Sequence, residues 1–293
     1  MGVSATGLTQ AVLSGVLVGG VYGLVAIGFS LAFGVMRIVN FAHGSLVMLG
    51  MYATLELSAV TGLDPFLFVP LNAILIGALG VALYAGVFRR FVGRTTLQQL
   101  LAAIAITLVI EAIAQMAFGP ETRAVASAFG SRYLIVGPLF FSFGQIAAFA
   151  IAIACVAVLE IGLRVTRWGT LVRAIADDAE IARLVGIGVH RVNIAAFAVA
   201  CGLAGIAGGV LVSYYPVSPV SGFNLMPIAL IATVIGGLGS ITGAMIGGLL
   251  CAIVEQVTSA AWSAALADVP LYILLLVFLA FWPGGLLGRS AAA

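Results

Sequence analysis

LTQAVLSGVLVGGVYGLVAIGFSLAFGV, residues 8–35, decides the fold. The stretch carries no charge, and as a helix rising 1.5 Å per residue it outreaches the roughly 30 Å hydrocarbon core of a bilayer. Further apolar runs follow at 41–60, 66–88, 97–118, 143–163, 192–213, 225–256 and 266–283, parted by charged or turn-forming residues. Backbone polar groups in hydrocarbon must be paired within a helix or a closed barrel, and the alternating pattern of barrel strands is absent, so the runs are read as helices. Composition agrees: 63% of the 293 residues are hydrophobic and 8% charged, with mean hydropathy +1.27. Soluble domains carry about a quarter charged residues. The expectation is an all-α integral membrane protein of about eight spans, forming a single transmembrane domain over residues 1–293.

The charges are few but informatively placed. The net charge of +2 gives no basic patch of the density that nucleic acid requires. Every basic residue is arginine. A phosphate-binding GxxxxGK[ST] loop needs its lysine against the β- and γ-phosphates, so this chain holds no such loop and any ATP must be bound by another subunit. Arg89, Arg90 and Arg94 form one basic cluster, and the segment 164–191 contains Arg167, Arg173 and Arg183 with Asp177, Asp178 and Glu180. Both clusters face the cytoplasm by the positive-inside rule. The two spans between them place residues 119–142, with Arg123 and Arg132, outside.

The run at 225–256 is too long for one straight span, and Gly236, Gly237 and Gly239 interrupt it. A broken helix or a re-entrant pair of half-helices is expected, with the glycines either packing or bordering the translocation path. The re-entrant form returns Arg289 to the cytoplasm. Small residues four apart, at Gly15, Gly19 and Gly23, at Gly205 and Gly209, and at Gly239, Gly243 and Gly247, mark faces where helix backbones approach closely.

Polar residues inside spans are costly and commonly functional. Glu111, with Thr107 and Gln115 one turn to either side, forms a stripe that must face protein or water; a neighbouring helix, a partner subunit or the substrate path would all satisfy it. Asn40 and His43 open the second span, Asn40 as its N-cap or both along the path. Glu56, Glu160 and Glu255 lie near span ends and reach the interface. His190 is far from His43, so no metal site is expected, and Cys155, Cys201 and Cys251 read as small apolar side chains. No arrangement of nucleophile, base and acid suggests an enzyme, and no cofactor is implied. The N-terminus lacks the basic start of a cleaved secretory signal, so the first span is expected to remain.

Within the cytoplasmic loop 164–191, residues 171–184 read as an amphipathic helix. Leu171, Ile175, Ala179 and Ala182 form its apolar stripe, Arg173, Asp177, Asp178 and Glu180 its polar faces, and Gly186 its end. Mixed charge suits a partner-docking helix better than one lying in lipid headgroups.

Three segments in this order carry a resemblance: VNFAHG at 39–44, RAIADDAEIARLVGI at 173–187 and GGLGSITGAMIGG at 236–248. The chain resembles the permease subunits of branched-chain amino acid ABC importers, within the type II importer group that also includes sugar permeases. The likeness covers nearly the whole chain. One departure stands at FWPGGLLG, 281–288, where Trp282 replaces the family's usual arginine. The resemblance implies a multi-pass protein of the bacterial inner membrane. Its partners would be two cytoplasmic ATPase subunits, a second permease subunit and an extracytoplasmic substrate-binding protein. The 171–184 helix would be the coupling helix seated on an ATPase, with Arg173, Asp177, Asp178, Ala182, Leu184 and Gly186 at the contact. The substrate would be a branched-chain or related amino acid, with a urea or short-amide permease as the nearest alternative. A stand-alone secondary transporter or channel is the rival of another class, and it leaves the 171–184 helix unexplained.

Overall fold

A computed structural model describes residues 5–282 and 284–288. The chain is an all-α membrane protein, and among the described residues eight helical segments are long and apolar enough to cross a bilayer. Its helices are α1 (Ala5–Met36), α2 (His43–Thr61), α3 (Val69–Gly86), α4 (Thr96–Phe118), α5 (Phe143–Val165), α6 (Arg167–Asp177), α7 (Ala179–Leu184), α8 (Val189–Leu211), α9 (Ser221–Gly236), α10 (Ile241–Ala261) and α11 (Val269–Phe281). A small antiparallel hairpin, Tyr133–Val136 with Leu139–Ser142, precedes α5.

The glycine spacing read from the sequence sets the packing. A Cβ at Gly15 would lie 2.7 Å from Ile253 Cα, and one at Gly19 2.8 Å from Leu249 Cα, so α1 and α10 touch backbone to backbone. At Gly205 an added Cβ would sit 2.5 Å from Asn72 O, which brings α8 onto α3 in the same way. Dispersion and close approach hold such helices together where lipid supplies no hydrophobic push. Asn72 fastens α3 to α2: its Nδ2 donates to Gly50 O at 2.8 Å and also to Thr54 Oγ1. α1 is the central element, with 83% of its apolar window buried, whereas α11 at the periphery has 11%.

The run at 225–256 is indeed broken. α9 stops at Gly236, and Gly237 and Gly239 take φ of +103° and +85°, backbone conformations suited to glycine. Ser240 then caps α10 by accepting from Gly243 N–H. α9 and α10 fold back on one another, Gly236 against Gly243 and Gly247 against Ala232. With 16 residues, α9 is about 24 Å long, short of a full span.

The two ends of the bundle are distinct. One gathers the start of α1, residues 119–142 and the α8–α9 connection: Gln10 Nε2 donates to Phe140 O at 2.6 Å, and Arg123 and Val217 exchange backbone hydrogen bonds. Asp64 ties the α2–α3 turn to the same end by accepting from Ser127 Oγ and Phe129 N–H. The opposite end collects the close of α1, α6, α7 and the 237–240 turn, together with Arg37, Arg89, Arg90, Arg94, Arg164, Arg167, Arg173, Arg183 and Arg191. Only Arg123 and Arg132 among the described arginines lie at the first end. The arginine-rich end is therefore cytoplasmic, and α1 starts outside. Arg289, invoked for the C-terminal orientation, lies outside the described residues, as does Pro283 of the FWPGGLLG segment.

Candidate translocation and coupling sites

α1 ends at Met36, and Arg37, at φ +52°, turns the chain back on itself. His43, the first residue of α2, places Nε2 3.1 Å from Val25 O, and its Cε1 would lie 2.8 Å from a Cβ on Gly28. Gly28 precedes Met36 by eight residues, so residues 37–42 climb about 12 Å back along α1 before α2 begins. Ile38 and Asn40 are 1% exposed and Ala42 0%. This is irregular backbone inside the bundle, tolerated because protein surrounds it.

The polar groups here are only partly satisfied. A carbonyl can only accept, so the proton of His43 sits on Nε2 and Nδ1 is left a bare acceptor. That Nδ1 has no partner among the described residues, nor have Asn40 Nδ2 and Ser45 Oγ. The expected N-cap role of Asn40 needs correction. Ala42 occupies the cap position without a side-chain bond, while Asn40 forms a turn one step earlier, its Oδ1 accepting from Ala42 N–H at 3.1 Å.

The first turn of α9 meets the first turn of α2. A Cβ on Gly222 would lie 2.7 Å from Ser45 Cα, so the meeting requires glycine. Two helix N-termini, each carrying partial positive charge, thus converge, and the carboxyl of Glu111 on α4 faces Phe223 N–H in the first turn of α9. One Glu111 oxygen is buried without a partner. The Thr107–Glu111–Gln115 stripe is divided by the structure. Thr107 turns inward, its Oγ1 donating to Ala103 O at 3.0 Å, Glu111 meets α9, and Gln115 points outward from the bundle. His43 lies against α1, whereas Glu111 and the start of α2 each meet the first turn of α9. Gly236, Gly237 and Gly239 do not join that junction; Gly239 N–H donates to Ser30 Oγ at the cytoplasmic end.

Glu255, expected near the interface, is half-buried and accepts from Tyr22 Oη at 3.3 Å, with its second oxygen buried and without a partner among the described residues. Nothing in the sequence marks the pairing, because the two residues stand 233 apart. Among the described residues no group of His, Cys, Asp and Glu could hold a metal ion.

The cytoplasmic helix expected over 171–184 is two helices. Asp178 leaves helical backbone, at φ −153° and ψ 110°, and its Oδ1 accepts from Glu180 N–H at 2.8 Å and Ile181 N–H at 2.9 Å, capping α7. An aspartate satisfies free N–H groups at a helix start better than it serves a helix interior. Of the apolar stripe, Ile175 and Ala182 face inward, each 3% exposed, and Leu171 and Ala179 are half-buried. Ile181, Leu184 and Val185 form the exposed apolar tip, with Leu184 86% exposed. Gly186, at φ +86°, ends α7 with open space around it. Arg173 reaches back to α5, its guanidinium donating to Leu163 O and to Thr170 Oγ1. Asp177 stands exposed at the close of α6.

Residues 11–279 match the family described as branched-chain amino acid transport system, permease component. The chain belongs to this family. It is 32% identical to the high-affinity branched-chain amino acid transport system permease protein LivH of Escherichia coli K12, with 96% of this chain and 95% of the relative aligned. It is 29% identical over the same shares to the corresponding permease protein BraD of Pseudomonas aeruginosa. A more limited likeness, 32% identity over 42% of this chain and 34% of the relative, links it to the fructose import permease protein FrcC of Rhizobium meliloti. No solved structure matches the chain. These relatives are transport permeases by name, and the family places this chain among permease components.

Proposed function

We propose that this chain is the membrane subunit of an ABC importer that passes branched-chain or related amino acids across a bacterial inner membrane, driven by ATP hydrolysed on partner subunits. The observation that carries the reading is the apolar tip of Ile181, Leu184 and Val185, held on the cytoplasmic end of a chain without a lysine for a phosphate-binding loop. Apolar side chains held out by a rigid capped helix, flanked by Glu180 and Arg183, are chemistry for a protein groove. That groove would belong to an ATPase subunit. Arg173, clamped to α5, and Asp178, capping α7, position the tip; Ala182 packs it against the bundle, and Gly186 ends it; Asp177 adds charge at its edge.

The junction of α2 and α9 is the proposed stretch of the path. Helix N-termini suit a substrate carboxylate, and Glu111 suits an ammonium group, so a zwitterion meets both signs of charge there. His43, Asn40 and Thr107 would add neutral polar contacts, while Gln115, pointing outward, would meet the second permease. The glycines at 236, 237 and 239 would let the cytoplasmic mouth change shape. A second permease would cover the exposed face of α4, and an extracytoplasmic binding protein would deliver the substrate at the outer end.

The test is leucine uptake into proteoliposomes carrying this chain with its ATPase, second permease and binding protein. Uptake should require ATP and all components, with unlabelled leucine, isoleucine or valine competing and urea failing to compete. Transport by this chain alone without ATP would overturn the importer reading; competition by urea or acetamide would transfer the cargo to short amides.

A further inference from the structure

At the cytoplasmic end a cavity of about 700 Å³ opens between the close of α1, the end of α5, α6 and the 238–242 turn. Three arginines line it, Arg37, Arg164 and Arg173, against one carboxylate, Glu160. Glu160 is committed to Arg164, with Nη2 to Oε1 at 2.7 Å. Arg173 donates to neutral oxygens, Leu163 O and Thr170 Oγ1. Arg37 makes no side-chain hydrogen bond or ion pair among the described residues. Among the described residues lining it, the cavity therefore holds two guanidinium groups without a paired carboxylate. Its remaining wall is largely apolar, including Leu31, Phe33, Leu163 and Ile241. Next to it α5 exposes Val158, Ile161 and Val165, each at least 60% accessible, which is the kind of surface that faces acyl chains.

We propose that this cavity is a phosphate-binding site, taking the phosphodiester headgroup of an anionic phospholipid from the cytoplasmic leaflet. Guanidinium forks match phosphate oxygens in pairs, and a cationic pocket between helices on the cytoplasmic side, continuous with a lipid-facing surface, recognises headgroup and chain together. Arg37 holds its backbone at φ +52°, a conformation a glycine would adopt at lower cost. Arg173 links the occupant to the coupling element, since it also fastens α6 to α5. The site stands apart from the α2–α9 junction and from the identity of the cargo.

Native mass spectrometry of the assembled complex in detergent tests this, with dioleoylphosphatidylglycerol as the probe, dioleoylphosphatidylcholine as its zwitterionic control and inorganic phosphate as a soluble competitor. Arg37→Gln and Arg37→Gly should each retain about fivefold less phosphatidylglycerol, the effect of one arginine near an anionic surface. Arg37→Gly also removes the backbone penalty, so lipid loss without loss of thermal stability separates binding from folding. Arg132→Gln, at the outer end, should leave retention unchanged. Displacement of the lipid by millimolar inorganic phosphate would support the same chemistry with a soluble source. Equal phosphatidylglycerol retention by the wild type and both Arg37 variants would overturn the proposal.

Discussion

At the scale of single residues, the interior of this protein is governed by hydrogen bonds that have no water to fall back on. Asn72 bridges the carbonyl of Gly50 and the hydroxyl of Thr54 from a fully buried position. Asn72→Leu should cost about 0.6–2 kcal/mol, the range found for hydrogen bonds between membrane helices, read as a lower thermal transition in detergent with the fold retained. Gly205→Val should cost more, about 1–3 kcal/mol of overpacking, because the new Cβ would press on Asn72 O and Ile76 Cβ. His43 and Glu111 were legible as polar residues in apolar runs, since cost alone singles them out. The partner of Glu255 was not, because a contact with Tyr22 on another helix leaves no local trace.

Among the elements, the cytoplasmic pair α6–α7 shows that amphipathicity alone does not say which apolar residues are buried. Apolar spacing identifies a stripe, but the same stripe serves inward packing or outward docking, and only the surrounding helices decide between them. Here Ile175 and Ala182 pack inward and Ile181 and Leu184 remain outside. Two substitutions separate the roles. Leu184→Asp should abolish ATP-driven uptake with membrane levels near wild type if the exposed tip is the proposed ATPase contact, because Leu184 lies outside the core. Ala182→Arg should instead lower the amount of folded protein, since it forces a charge into a packed site; immunoblots of membrane fractions beside uptake assays distinguish the two. Asp178→Ala should cost about 1 kcal/mol of capping and loosen α7, with increased amide hydrogen exchange over residues 179–185.

For the molecule as a whole, the segregation of arginines fixes an orientation that the helix order then transmits to every loop. Single cysteines introduced into a cysteine-free background should report it. A membrane-impermeant maleimide added to intact spheroplasts should label Ser131→Cys and fail to label Arg183→Cys until the membrane is opened; the reverse pattern would invert the topology. The outer placement of the start of α1 follows from Gln10 meeting Phe140, a contact spanning 130 positions that no hydropathy profile contains.

The sequence by itself determined that the chain lives in lipid, how many apolar stretches it has, where the 225–256 run breaks and which glycine faces meet other helices. Those features depend on transfer free energy and on the missing Cβ, both local properties of the chain. Only the tertiary structure decided that residues 37–42 climb back beside α1, that the first turns of α2 and α9 meet beside Glu111, and that Ile181, Leu184 and Val185 form the exposed apolar tip of α7. Each of these depends on which surfaces are already occupied by helices distant in sequence, and that occupancy exists only once the bundle has packed.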